Sequence, residues 1–258
     1  MKTHLLGAEA TDMYMQLRTL LKPILQRAYH QQVEGVEHIP ADTGAILASN
    51  HVSFIDSIFL PLAAPRQVFF LAKSDYFTTP GLKGRVMKWF FTSVGQLPID
   101  RSGGAKSAES LAVAVSALRE GKLVGIYPEG TRSPDARLYR AKVGVARLAI
   151  EAGVPILPVA QLGNEDVQAP GSNRLRLRKD GQPIQIRTII GEPIDTTPYQ
   201  GRDDAYAAQR ELADLVMTRI SELTGRPITP VYAADVKKLM VEENISALEA
   251  SNRLLSNH

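Results

Sequence analysis

A histidine and an aspartate five residues apart, in Ser49-Asn50-His51-Val52-Ser53-Phe54-Ile55-Asp56, mark where an apolar run gives way to a helical pattern. An imidazole held by a carboxylate on one ring nitrogen has the other free to take a proton, which makes a general base. Residues five apart on one helix project about 140° from each other, so the two side chains meet only if His51 lies in the turn ahead of the helix. Ser53 and Asp56 also fit a capping box, which would make Asp56 a structural group. A single histidine beside strand residues is often structural, so this segment leaves both roles open.

Three further segments carry candidate chemistry. Tyr127-Pro128-Glu129-Gly130-Thr131-Arg132-Ser133 combines a glycine that permits close backbone approach with hydroxyl, guanidinium and amide donors suited to phosphate oxygens. Taken alone it also reads as a polar turn. Gly95-Gln96-Leu97-Pro98-Ile99-Asp100-Arg101 delivers a basic residue at the end of a short strand. Val154-Pro155-Ile156-Leu157-Pro158-Val159 holds no reactive group, and its content is packing.

The elements that must position these segments alternate. Apolar runs at Ala45–Ala48, Val68–Ala72, Leu97–Ile99, Leu123–Tyr127, Ile156–Ala160 and Ile184–Ile190 read as strands. Helical patterns fall at Ala105–Arg119, Ala141–Ala152 and Asp203–Leu223, with one last polar helix over Ala233–Leu255. The fold class is therefore α/β, a largely parallel central sheet flanked by helices, with C-terminal helices appended. Ahead of it, Met13, Leu17, Leu20, Leu21, Ile24 and Leu25 form one helical stripe with Arg18, Lys22 and Arg27 among the other positions. That basic amphipathic helix fits either a core or a lipid headgroup layer. We divide the chain into an N-terminal amphipathic region (1–32), an α/β domain (33–225) and a C-terminal helical extension (226–258).

Composition removes several chemistries. The chain of 258 residues has no cysteine, hence no thiolate nucleophile, disulfide or Cys-ligated zinc. Its five histidines are scattered and form no His-x-x-x-His pair, so no metal is expected. Gly103-Gly104-Ala105-Lys106-Ser107 fails as a P-loop because Ala105 stands where glycine must precede the lysine. The net charge is only +3, yet Arg66–Lys106 carries seven basic residues against two acidic ones, so an anionic partner would dock on the middle of the chain. Arg174-Leu175-Arg176-Leu177-Arg178-Lys179 reads as a strand with one wet face rather than a nucleic-acid site. The N-terminal residues show no secretory signal, and the most apolar window, Gly44–Pro65, is too interrupted to span a bilayer, so a cytoplasmic chain is expected.

The four segments, in this order, resemble the glycerolipid acyltransferase family, to which lysophosphatidate acyltransferases belong, over roughly Val33–Gly191. The resemblance implies that His51 is the base and Asp56 its orienting partner. It implies an acceptor-phosphate site of Arg101, Glu129, Gly130, Thr131 and Arg132, with Lys142 beside them. A fatty acyl group would pass from acyl-CoA or acyl carrier protein to the free hydroxyl of 1-acylglycerol 3-phosphate, giving phosphatidate, or alternatively to another lysophospholipid or a glycolipid, with no other cofactor and no covalent intermediate; no Gly-x-Ser-x-Gly elbow is present. A nonenzymatic lipid-binding module and a thioesterase are the rival readings, although a hydrolase has no use for the phosphate-site residues. Because both acyl chains partition into bilayers, a peripheral position on the cytoplasmic face of a membrane is expected, with contacts from Leu17, Leu21, Lys83, Arg85, Lys88, Trp89 and Phe90.

Overall fold

A computed structural model describes residues 16, 18–73, 96–99 and 105–256. Leu17, Lys83, Arg85, Lys88, Trp89, Phe90 and Arg101 lie outside the described residues.

The apolar runs assemble into one seven-stranded sheet in the order β1-β10-β7-β2-β5-β3-β4. Its strands are β1 (Gln32–Glu34), β2 (Ala45–Ser49), β3 (Val68–Lys73), β4 (Gln96–Ile99), β5 (Leu123–Ile126), β7 (Ile156–Leu162) and β10 (Arg187–Ile190). The five strands from β7 to β4 are mutually parallel, and the β10–β7 pair is the one antiparallel ladder. β2 is buried along its whole length, as expected of a central parallel strand covered on both faces.

Side-chain alternation divides the core between the two faces. Ile46, Ala48, Val124 and Ile156 point to one side, where helices α3 (Ala105–Arg119), α4 (Gly144–Ala152) and α6 (Ala205–Thr224) bring Val115, Leu118, Val145, Leu148, Leu212, Val216 and Ile220 against them. Ala45, Leu47, Leu123, Leu157 and Val159 point to the other, where α2 (Asp56–Ala63) seats Leu60. Over α2 lies α1, helical through 18–29, whose Tyr29 meets Phe59 edge-to-face at 5.5 Å. Its apolar stripe divides: Leu25 packs against the α2 layer, whereas Leu20, Leu21 and Ile24 are exposed.

Three expectations need correction. The alternating run 174–179 is not a strand with one dry face: only Arg178–Lys179 (β8) pairs, with Gln182–Pro183 (β9), and Leu175 and Leu177 are both about 60% exposed. The strand expected from Ile184 begins at Arg187, because Ile186 bonds instead to the chain beyond α1, accepting from Gln32 N–H and donating to Tyr29 O. The single C-terminal helix is two, α7 (Ala233–Glu243) and α8 (Ala247–Ser256), broken where Asn244 adopts the left-handed region at φ 53°.

These last helices pack on a two-stranded parallel pair, β6 (Leu138–Tyr139) with β11 (Ile228–Thr229). Tyr139, Val231, Ala233, Val236, Ala247 and Ala250 form their core. Arg137 fastens α8, donating to Ala247 O at 3.1 Å and Ser251 Oγ at 2.9 Å.

After β7 the chain turns at Gly163 (φ 86°) into the short helix α5 (Asn164–Val167). A β-carbon at Gly163 would come within 2.2 Å of Gln185 O, on a backbone that L side chains rarely adopt. Gly163→Ala should therefore lower unfolding stability by roughly 2 kcal/mol or more in urea titration; a change under about 0.5 kcal/mol would show that the turn tolerates a side chain.

Candidate active site

The C-terminal ends of β2, β5 and β7 deliver the polar residues to one edge of the sheet, where sites in parallel α/β folds gather. His51 lies in the turn two residues past β2, and Asp56 opens α2, the arrangement that lets the two side chains meet. The distance from His51 Nδ1 to Asp56 Oδ2 is 2.9 Å.

Asp56 is 1% exposed, and every group around its carboxylate donates to it. Oδ2 takes the His51 ring together with the Val52 and Ser53 backbone N–H groups at 2.6 and 2.8 Å. Oδ1 takes Ser53 Oγ at 3.3 Å and Asn164 Nδ2 at 2.8 Å. The capping-box reading is thus half realised: Asp56 reaches back to the Ser53 N–H, but Ser53 Oγ binds the carboxylate instead of capping the helix. With the carboxylate as acceptor, Nδ1 is the ring's donor and Nε2 of the neutral imidazole keeps its lone pair. Tyr127 stacks on the imidazole, with centroids 3.7 Å apart and planes 11° from parallel, and its hydroxyl pairs with Ser57 Oγ at 3.0 Å. Burial, and secondarily the Asp56 charge, push the Tyr127 phenol well above its usual value, so it stays neutral.

The second polar segment folds back on the first. Ser133 N–H donates to His51 O at 2.6 Å, and Lys142 N–H to Pro128 O at 2.8 Å. Gly130 sits at φ 76°, where a β-carbon would come within 3.1 Å of Lys142 Cδ, so the lysine stem lies over the glycine. Arg132 and Lys142 are exposed, and Thr131 is half-buried beside them. Glu129, expected among the phosphate-contacting groups, turns inward instead: it is 1% exposed and accepts from His51 N–H at 3.2 Å and Tyr139 N–H at 3.0 Å. Burial raises its carboxyl to about 8 against the pull of those two N–H groups.

Sequence reasoning passed over the residues that support the dyad. Asn50 clamps the backbone of Gln161, donating to its O at 3.0 Å and accepting from its N–H at 2.8 Å, which locks the end of β2 to β7. Asn164, fully buried, bridges Asp56 and Gln161. Its only sequence signal is its place: a polar residue directly after a strand and Gly163. Among the described residues no three His, Asp or Glu side chains are grouped as a metal site, and no helix is long and apolar enough to cross a membrane.

The family model "Acyltransferase" matches residues 30–161, half of the chain, including His51, Asp56 and the Glu129–Ser133 loop. The chain belongs to the acyltransferase family. A 1-acyl-sn-glycerol-3-phosphate acyltransferase of Bacillus subtilis is 29% identical, over 83% of this chain and 98% of that protein. A chloroplastic 1-acyl-sn-glycerol-3-phosphate acyltransferase of Brassica napus is 30% identical over 64% of this chain; the match spans 45% of that relative. The crystal structure of the 1-acyl-sn-glycerophosphate acyltransferase PlsC from Thermotoga maritima superposes with a TM-score of 0.59 at 25% identity, covering 84% of this chain and 79% of that one. The central, mostly parallel sheet flanked by helices is the fold shared with that acyltransferase.

Glu129 gives this acyltransferase a pH signature. The folded protein holds its proton up to about 8, whereas the unfolded chain releases it near the ordinary 4.5. The stability from this group is fully present below about 4.5 and is lost as pH rises through 8. In Glu129→Gln an amide N–H must face the N–H of His51 or Tyr139, so the variant should melt below wild type at pH 5. The gap should narrow toward pH 9 in thermal unfolding; a gap independent of pH would sink the assignment.

Proposed function

We propose that this acyltransferase moves a fatty acyl group from acyl-CoA or acyl carrier protein to the free hydroxyl of 1-acylglycerol 3-phosphate, giving phosphatidate. The observation that carries the reading is a His51–Asp56 contact of 2.9 Å tied by backbone bonds to a loop bearing Thr131 and Arg132. The relatives named for 1-acyl-sn-glycerol-3-phosphate support the acceptor.

In this mechanism the acceptor hydroxyl oxygen attacks the thioester carbonyl carbon while His51 Nε2 removes its proton. The tetrahedral intermediate then collapses, the carbon–sulfur bond breaks, and the leaving thiolate takes the proton back from the imidazolium. Asp56 fixes the ring and stabilises its charged form, while Tyr127 covers one face of the imidazole and holds its plane. Arg132 and Lys142, with Thr131, receive the acceptor phosphate, and Arg101 is assigned to the same task. Glu129 acts through the loop, joining the His51 backbone to β6. No cofactor beyond the thioester co-substrate is assigned. A peripheral position on a membrane is supported by Leu20, Leu21 and Ile24, exposed on a helix that also carries Arg18, Lys22 and Arg27; the cytoplasmic face is part of the same proposal.

The test is thiol release from a long-chain acyl-CoA, with and without detergent-dispersed lysophosphatidate. Wild type should release thiol only with the acceptor. His51→Ala should lose about 10²–10⁴-fold in kcat, while Arg132→Ala should raise the lysophosphatidate KM about ten-fold or more. Release without acceptor would make the protein a thioesterase, and full activity in His51→Ala would remove the base.

A further inference from the structure

We propose that Lys237, from the C-terminal helix α7, is a third cation of the acceptor-phosphate site, so that the C-terminal helices complete the binding site for a phosphate monoester. The inference rests on the reading of the Thr131–Arg132 loop given above.

Lys237 stands on the wrong face of its helix for a solvated lysine. Ala233, Val236 and Met240 face the C-terminal core, and position 237, one turn beyond Ala233, falls within that stripe. Its neighbour Lys238 is exposed and pairs with Glu242 in the ordinary manner of a surface helix. Lys237 is half-buried and donates from Nζ to Thr131 Oγ1 at 3.2 Å, across 106 residues of sequence.

The surroundings of that ammonium suit an anion. Burial first and the Arg132 charge second hold Lys237 below the usual lysine value, against the smaller opposing pull of Glu129. Among the described residues no carboxylate lies within ion-pair distance of Arg132, Lys142 or Lys237. The nearby acid, Glu129, is raised to about 8 and so offers little negative charge at neutral pH. Arg132 and Lys237 repel each other, and an anion between them relieves the repulsion.

The placement is built rather than incidental. α7 starts directly after Val231 and Tyr232; Val231 O accepts from Arg140 N–H at 3.0 Å, and the Arg140 guanidinium lies over the Tyr232 ring at 5.4 Å. Arg140 follows Tyr139, whose N–H holds Glu129. The strand that ties down the loop from inside thus also sets the register of the helix that reaches it from outside. A phosphate monoester carries more charge than a diester and no second alcohol to exclude, so an additional cation favours the monoester headgroup.

The experiment compares wild type, Lys237→Met and Lys237→Arg in thiol release, varying lysophosphatidate at saturating acyl-CoA and then the reverse. Lys237→Met should raise the lysophosphatidate KM ten-fold or more, with kcat and the donor KM within about two-fold, and Lys237→Arg should recover most of the loss. Its thermal midpoint should not fall, since a desolvated cation is removed. Unchanged KM would overturn the proposal, as would a joint loss of kcat and both KM values with a lowered midpoint, the mark of a structural lysine. Protection from thermal unfolding by glycerol 3-phosphate separates this proposal from the one it rests on. If wild type is protected and Lys237→Met is not, Lys237 binds the anion even where lysophosphatidate gives no turnover; if both are protected equally, Lys237 is excluded, and if neither is, the anion site itself falls and the proposal with it.

Discussion

The carboxylate of Asp56 is the point on which the site's geometry depends. It is buried at the head of α2 and gathers five donors from two stretches of chain: the His51 ring, two backbone N–H groups and a hydroxyl from the β2–α2 turn, and the Asn164 amide from beyond β7. A buried carboxylate is tolerated only when its lone pairs are satisfied, so the turn, the helix start and the β7 end must adopt mutually consistent positions. The orientation of His51 is a by-product of meeting that demand. The interlock of Asn50 with Gln161 serves the same end, since it fixes the β2 terminus against the strand that carries Asn164.

From this centre the Glu129–Ser133 loop is reached through the backbone of His51. Ser133 N–H bonds His51 O, and Glu129 accepts from His51 N–H, so the residue proposed as base is held on both sides of its own peptide by residues of the second segment. A shift of the loop would be felt at the imidazole through these two hydrogen bonds.

Much of this was legible in the sequence because it is written in short range. The strands at Ala45, Leu123 and Ile156 and the helix at Ala105 begin where the apolar pattern puts them, and the five-residue spacing of His51 and Asp56 already required a turn followed by a helix. What failed was decided by partners far away in the chain. Leu175 and Leu177 alternate with arginines like strand residues, but no neighbouring strand is available to give them a dry face. The polar C-terminal pattern is uninterrupted to the eye, yet the chain turns at Asn244, and the second helix is received at Ala247 by Arg137, 110 residues before that alanine. Asn164 and Lys237 carry no local motif at all; their partners are Asp56 and Thr131, more than a hundred residues distant.

The two buried acids show how differently one residue class can be used at a single site. Asp56 and Glu129 are each 1% exposed and each grips the His51 segment, but Asp56 collects five donors where Glu129 collects two. With so few donors, burial dominates at Glu129 and lifts its carboxyl to about 8. A protonated Glu129 still accepts its two N–H bonds while leaving the charge of the nearby Lys237 largely uncancelled. The fold therefore separates two tasks by donor count: Asp56 holds the ring, and Glu129 holds the loop.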